Sequence, residues 1–166
     1  MLRGKKRSFV GENVAMNIID KKQLILLSRQ QMEERIAEIE LQGKALQEGA
    51  ANESKSSAGD KHETARAMMN LEQEKLGRQY QELMTMKEYF DKINFEVVSA
   101  KIQLGSMIET NKGFFLLSVG LGKIKANTQD LMLLSLQSPL GEILLGKSEG
   151  DRVILNTHEY NIIKVI

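Results

Sequence analysis

Fold class follows from residues 60–92, DKHETARAMMNLEQEKLGRQYQELMTMKEYFDK, which contain no proline and consist mainly of good helix formers. Apolar residues recur here at every seventh position: Met69, Leu76, Leu83 and Phe90. This period is typical of a helix whose apolar seam packs against a partner helix. At about 1.5 Å per residue the helix would be on the order of 50 Å long. The segment therefore predicts an element that projects beyond a small domain.

The partner helix precedes this segment. A second ladder with the same spacing consists of Ile25, Met32, Ile39 and Leu46. Residues 47–59, QEGAANESKSSAG, separate the ladders and have the composition of a turn. Antiparallel pairing of the ladders places the tip between Ser57 and Ala58. The second seam position is mixed, apolar at Ile36, Ala65, Met86 and Ile93 but polar at Arg29, Glu72 and Gln79. Residues 20–95 thus predict an antiparallel coiled-coil hairpin with its tip near residues 48–60.

Residues 96–166 differ in composition, with the single proline and most of the β-branched residues. Apolar runs at 105–110, 113–122, 130–137, 153–155 and 160–165 predict a sheet of about five strands. Ser138 and Pro139 open a short helix as cap and first residue, and Gly146 ends it. The fold class is therefore α+β. A core this small is marginal alone, so we expect it to pack against the base of the hairpin.

Composition excludes several classes of function. The formal net charge of +1 gives no global field that would attract nucleic acid or anionic lipid. The absence of cysteine excludes disulfides, thiolate nucleophiles and cysteine zinc sites. With two histidines in addition, the chain is not expected to bind zinc. The longest apolar runs are far shorter than the roughly 20 residues of a membrane span, so we expect no membrane partner.

The first 19 residues begin with the basic sequence MLRGKKRSF. No apolar stretch of the kind found in export signals follows it. We interpret residues 1–19 as a flexible basic arm; in the alternative interpretation Met16 is the true start and residues 1–15 are upstream sequence. Without an export signal or cysteines, a cytoplasmic location is expected.

Asp60 and Glu63 lie three residues apart at the start of the second predicted helix, so their carboxylates face the same side. Acidic residues are common in this position because they cap the helix and interact favourably with its dipole. The alternative is a partial ligand set for Mg²⁺, which prefers oxygen ligands. Two carboxylates hold Mg²⁺ poorly, so the pair would serve only where other carboxylates and a phosphodiester are already present. The neighbours Glu53, Lys55, Lys61 and His62 are expected to be solvated.

Two segments resemble the bacterial Gre transcript-cleavage factors. One is GDKHETARAMMNLEQEKL, residues 59–76, and the other is SPLGEILLGKSEGD, residues 138–151. Their order agrees with that family, and so does a helical hairpin before a β domain. The resemblance covers residues 20–166, and its C-terminal signature is the more specific part.

The resemblance implies a coiled coil that enters the secondary channel of RNA polymerase and a C-terminal domain with an FKBP-like fold. It implies that Asp60 and Glu63 help to hold a second Mg²⁺ in the polymerase site, where backtracked RNA is cleaved near its 3′ end. The chain would bind no cofactor alone and would not itself be an enzyme. Residues that match the C-terminal signature, and so are candidates for partner contact or fold maintenance, are Ser138, Pro139, Gly141, Leu145, Gly146 and Lys147. For both glycines and the proline we favour fold maintenance.

Two departures leave an alternative open. Glu63 is followed by Thr64, where the family usually has asparagine, and residues 52–57 look like an insertion before Asp60. A regulator that binds the channel and modulates or inhibits polymerase without cleavage would suit such a tip. A plain coiled-coil adaptor, in which the acids only cap a helix, is a third hypothesis. No Ser-His-Asp or phosphate-loop pattern supports a self-contained enzyme.

Overall fold

The structure, a computed structural model, describes residues 20–53, 59–126 and 129–166, with the backbone alone for residues 52, 53, 59–62, 126 and 129. Two long helices come first, α1 (Lys21–Glu53) and α2 (Gly59–Asp91). The remaining elements are β1 (Met107–Thr110), β2 (Gly113–Ser118), β3 (Gly122–Ala126), β4 (Gln129–Ser135), α3 (Pro139–Leu144), β5 (Arg152–Leu155) and β6 (His158–Val165). The α+β class is confirmed. The predicted arm and the predicted tip position lie outside the described residues.

The two long helices run antiparallel. The Arg29 Nε lies 2.8 Å from the Asp91 carboxylate, and the Lys87 Nζ lies 3.4 Å from the carboxylate of Glu33. Early residues of α1 therefore meet late residues of α2, as predicted. The helix start also has a local cause, because the side chain of Asp20 accepts a hydrogen bond from the Lys22 N–H at 3.2 Å.

The predicted ladders mark the covered face of each helix. Met32, Leu76 and Phe90 are buried, and the remaining ladder residues are partly buried: Ile25, Ile39, Leu46, Met69 and Leu83. Four large apolar residues outside the ladders are exposed: Leu26, Leu41, Met68 and Leu71. Leu24 and Ile36, which also lie outside the ladders, are buried. The seven-residue period therefore marks the middle of the inward face but does not include all of its residues.

Helix α1 is longer than the turn composition predicted. It continues to Glu53, well into the predicted turn at residues 47–59. Alanine and glutamine favour the helix here strongly enough to outweigh the cost of Gly49. Helix α2 begins one residue before its predicted start and ends one residue before its predicted end. Neither of these helices, nor any other in the described ranges, is long and apolar enough to cross a membrane.

The strands form one mixed sheet in the order β3-β4-β2-β1-β6-β5. Strands β2 and β4 are parallel neighbours, and the other neighbouring pairs are antiparallel. The described residues contain six strands where about five were predicted. The predicted strand at 113–122 ends at Ser118, and β3 begins at Gly122, whose φ of +85° suits glycine. The predicted final hairpin is confirmed, with a tighter turn in which Asn156 has a φ of +55°.

Each face of the sheet has its own core. One face packs against the bases of α1 and α2, where Leu24, Met32 and Phe90 join residues of four strands: Met107, Leu116, Ile124, Leu131 and Leu133. The opposite face packs against α3, where Leu140 and Leu144 join Ile108, Phe115, Leu117, Leu134, Val153 and Ile162. Neighbours such as Leu116 and Leu117 thus point to opposite faces, as the pleat requires. The sheet does pack against the helix bases, as its small size predicted.

Candidate functional site

Of the predicted acidic pair, the structure describes the side chain of Glu63 and the backbone of Asp60. Both residues belong to the first turns of α2. The side chain of Glu63 is exposed. The side chains of Asp60, Lys61 and His62 lie outside the described part, and so does Lys55. Both acids therefore belong to the start of α2, as predicted, and the Glu63 carboxylate can reach a partner.

The acidic end of α2 lies well beyond the sheet. On α1, the guanidinium of Arg35 donates a hydrogen bond to the carbonyl of Leu121 at 3.3 Å. On α2, Gln81 lines a groove that it shares with Ser118 and Gln137, at the ends of β2 and β4. The 18 residues from 63 to 81 span about 27 Å of helix. Glu63 therefore lies about 27 Å beyond a residue that borders the sheet.

Within the described residues, no three His, Asp or Glu side chains come together in a way that could hold a metal ion. Asp60 and Glu63 supply at most a pair of carboxylates. Mg²⁺ is usually held by one or two carboxylates together with water and substrate phosphates. The residue types at this end of α2 fit a shared Mg²⁺ whose remaining ligands come from a partner.

The two helices differ along their length, and we name two halves. The base half is residues 21–36 of α1 with 76–91 of α2, and the far half is residues 37–53 with 59–75. All buried side chains described in α1 and α2 belong to the base half. Its core is the one shared with the sheet.

Four charged side chains at the surface of the base half join α1 to α2 through hydrogen bonds and ion pairs. The sequence analysis did not predict this cluster. Asp91 accepts hydrogen bonds from Arg29 at 2.8 Å and from Lys87 at 3.1 Å, and Lys87 also pairs with Glu33. Partial burial raises the pKa of the Asp91 carboxyl, but the hydrogen bonds from Lys87 and Arg29 outweigh it and hold the pKa below its ordinary value. The hydrogen bond to Asp91 raises the pKa of Lys87. Arg29 was the one sequence signal for this cluster, because a charged residue at a seam position needs an oppositely charged side chain nearby.

Ser138 and Gly141, in the second resembling segment, build the start of α3. The Ser138 hydroxyl donates to the carbonyl of Ser135 at 2.8 Å and accepts from the N–H of Gly141 at 3.1 Å. Pro139 occupies the first helical position, as predicted. A Cβ on Gly141 would lie 2.1 Å from the Ser135 carbonyl oxygen, so only glycine fits. These residue types are explained by the fold.

The end of α3 is likewise fixed by backbone geometry. Gly146 has a φ of +76°, as a residue after a helix end often does. Its N–H donates to the carbonyl of Ile102 at 2.8 Å, and the Ile102 N–H donates to the carbonyl of Lys147 at 2.7 Å. The side chains of Pro139, Leu145 and Lys147 are exposed. Of the predicted contact residues, these three can touch a partner, whereas the Ser138 hydroxyl is engaged in the cap.

An apolar groove at the helix base was missed by sequence reasoning. It has a volume of about 810 Å³ and includes Leu26, Val97 and Val98 among its lining residues. Val98 is 96% exposed, and Leu26 is 62% exposed. Neither residue belongs to a ladder or a strand, so no periodic pattern marks them.

Comparison of the sequence with protein-family models and with curated proteins finds no match.

Proposed function

We propose that this chain is a transcription elongation factor that binds RNA polymerase through its secondary channel and stimulates cleavage of backtracked RNA. One observation carries the proposal. An antiparallel helix pair bears an exposed carboxylate, Glu63, about 27 Å beyond a residue bordering the sheet. Such reach suits delivery into a partner's active site, and the two segments that resemble the Gre factors supply the identity of that partner.

In this proposal the helix pair is a coiled coil, and the sheet with α3 is an FKBP-like domain. Asp60 and Glu63 complete the coordination of a second Mg²⁺ whose other ligands belong to the polymerase and the RNA. The bound metal would activate water for attack on the phosphodiester. The chain's own part is to bring two carboxylates to that place. It binds no cofactor alone and is not itself an enzyme.

The sheet domain would hold the complex at the rim of the channel. Exposed residues of the Gre-like C-terminal segment, Pro139, Leu145 and Lys147, are the proposed contacts, with Ser138 maintaining their loop. Leu145 is 47% exposed, so its side chain is accessible for such a contact.

A regulator that occupies the channel without cleavage is the second candidate. The segment before Asp60 favours it, because α1 runs to Glu53 and residues 54–58 still separate it from α2. A lengthened tip with Thr64 in place of asparagine can fill the channel while holding the acids away from the reacting phosphate. Slower elongation would then be the main effect.

The two candidates are separated by a stalled elongation complex of the cognate polymerase in Mg²⁺ buffer. Cleavage predicts shortening of the RNA from its 3′ end, and Asp60→Ala and Glu63→Ala should each reduce the rate at least tenfold while binding is retained. Glu40→Ala removes an exposed acid of α1 and should leave the rate unchanged. Binding with slower elongation and no shortening favours the regulator. Absence of binding contradicts both.

A further inference from the structure

The far half of the helix pair has little to hold it closed. None of its described side chains, residues 37–51 and 63–75, is buried. Its large apolar residues outside the ladders are exposed: Leu41 at 70%, Met68 at 67% and Leu71 at 65%. Its ladder residues Ile39, Leu46 and Met69 are only partly buried, whereas Met32 and Phe90 in the base half are fully buried.

Two glycines weaken the same region. Gly43 and Gly49 lie inside α1, and a Cβ added at either position would meet nothing within 4 Å. Close packing therefore does not require glycine at either place. Compared with alanine, a glycine inside a helix disfavours the helical state by about fivefold, which corresponds to about 1 kcal/mol. The far half thus carries two weakening residues that a methyl group could replace without a clash.

Among the side chains that the structure describes, ion pairs between the two helices occur in the base half. Among the described side chains, the pairs that join the two helices are Arg29 with Asp91 and Glu33 with Lys87. In the far half, the pair of Lys75 and Glu72 connects two residues of α2 and does not bridge to α1. Helices of this length gain most of their stability from packing, so the far half depends on a thin apolar contact.

We propose that the helix pair consists of two cooperative units. The base half unfolds only with the sheet, because they share one core. The far half opens repeatedly by local unfolding beyond Ile36 and Leu76 while the rest stays native. This inference concerns the free protein and does not depend on the proposed function. A partner that binds the far half would select its closed state and stabilise it.

Native-state hydrogen exchange on the full chain tests the proposal. Exchange would be followed by mass spectrometry in increasing, non-denaturing concentrations of urea. Amides of residues 38–51 and 63–75 should exchange at least a hundredfold faster than those of residues 24–36 and 78–90. Their rates should also respond less to urea, because local opening exposes less surface than global unfolding. Equal protection and equal urea dependence in both halves would overturn the proposal.

A matched set of variants gives a second, independent readout. The double substitution Gly43→Ala with Gly49→Ala should slow exchange in the far half by roughly 25-fold, about fivefold for each alanine. Base-half amides exchange only by global unfolding, in which the far half also unfolds, so they should slow by a similar factor. Thr85→Ala, which also improves helix propensity but lies in the base half, should leave far-half exchange unchanged. It should slow base-half exchange alone, so slower exchange in both halves of Thr85→Ala would mean that the helix pair is a single unit. An unchanged far half in the double variant would likewise contradict the proposal.

Discussion

The base and far halves of the helix pair have the same seven-residue ladder but very different surroundings. In the base half the ladder residues Met32 and Phe90 are buried in a core shared with the sheet. In the far half the ladder residues Leu46 and Met69 are covered only in part. The seven-residue period therefore predicts which face of the helix a residue occupies. How deeply that residue is buried depends on whether the sheet also packs against that face.

The two halves also differ in how well they tolerate substitutions. In the base half a core side chain such as Met32 or Phe90 is surrounded by neighbours, so a change of its shape is costly. In the far half an added methyl at Gly43 meets nothing, and removal of an exposed side chain leaves no cavity. The far half can thus carry exposed charged residues, such as Glu63, at little cost to the fold.

The largest effect should come from Phe90→Ala, in the core where α2 meets the sheet. Phe90 is fully buried and its ring lies 4.9 Å from that of Phe95. Its truncation should lower the free energy of unfolding by about 3–5 kcal/mol. Leu41→Ala in the far half should change it by less than about 0.5 kcal/mol, because that side chain is exposed. Urea denaturation measures both, and equal losses would contradict the distinction between the halves.

A second contrast uses one substitution type at two sites. Gly141→Ala should destabilise by about 1–3 kcal/mol, because its Cβ would collide with the Ser135 carbonyl oxygen and force the loop to shift. Gly43→Ala should instead be stabilising. Thermal unfolding of the two variants should therefore shift in opposite directions. A Gly141→Ala variant with unchanged stability would show that the loop before α3 yields easily.

Much of the fold could be predicted from the sequence, because local signals and final structure agree. Ser138, Pro139 and Gly146 mark the limits of α3, and the ladders mark the inward faces of α1 and α2. The separate strand β3 was missed, since its sequence GKIKA has one large apolar residue, Ile124, between two lysines. The predicted strand at 113–122 was too long, because glycines within an apolar run, such as Gly120 and Gly122, are equally compatible with a strand.

The position of the candidate site could be predicted from the sequence, but the ion pairs that join the two helices could not. The acids Asp60 and Glu63 could be placed at a helix start, because spacing and helix position are local properties. The cluster of Arg29, Glu33, Lys87 and Asp91 could not be predicted in the same way. It joins residues that are far apart in sequence, and their proximity depends on the relative rotation of two helices, which the ladders fix only approximately.

A smaller, pH-dependent effect should distinguish the base half further. Asp91→Asn removes the acceptor of two hydrogen bonds and should cost about 0.5–1 kcal/mol at neutral pH, the range for partly exposed pairs. The folded pKa of Asp91 lies below its unfolded value, so its contribution is present above about pH 4 and is lost as the pH falls through the folded pKa. Wild type and variant should therefore converge in acid.

The contribution of Lys87 to stability has the opposite pH dependence, which provides a check on the role of charge. Its folded pKa is raised, so its contribution is complete below about pH 10 and is lost as the pH rises through the folded value. Urea denaturation between about pH 5 and 9 should therefore show a constant difference between wild type and Asp91→Asn. A difference that persists unchanged at pH 2 would mean that the variant acts through packing instead of charge.

The smallest expected effect concerns the apolar seam between α1 and α2 in the far half, whose residues are only partly buried. Glu72 lies between the ladder residues Met69 and Leu76, and its side chain is 45% exposed. Glu72→Leu should extend the apolar seam and gain about 0.5 kcal/mol after loss of the pair with Lys75, since such pairs within one helix contribute only about 0.2–0.5 kcal/mol. Hydrogen exchange of the far half should slow about twofold. Glu74→Leu, at an outward position that is 67% exposed, should give no gain. An equal response to both leucines would mean that the seam, in this half, is not a contact at all.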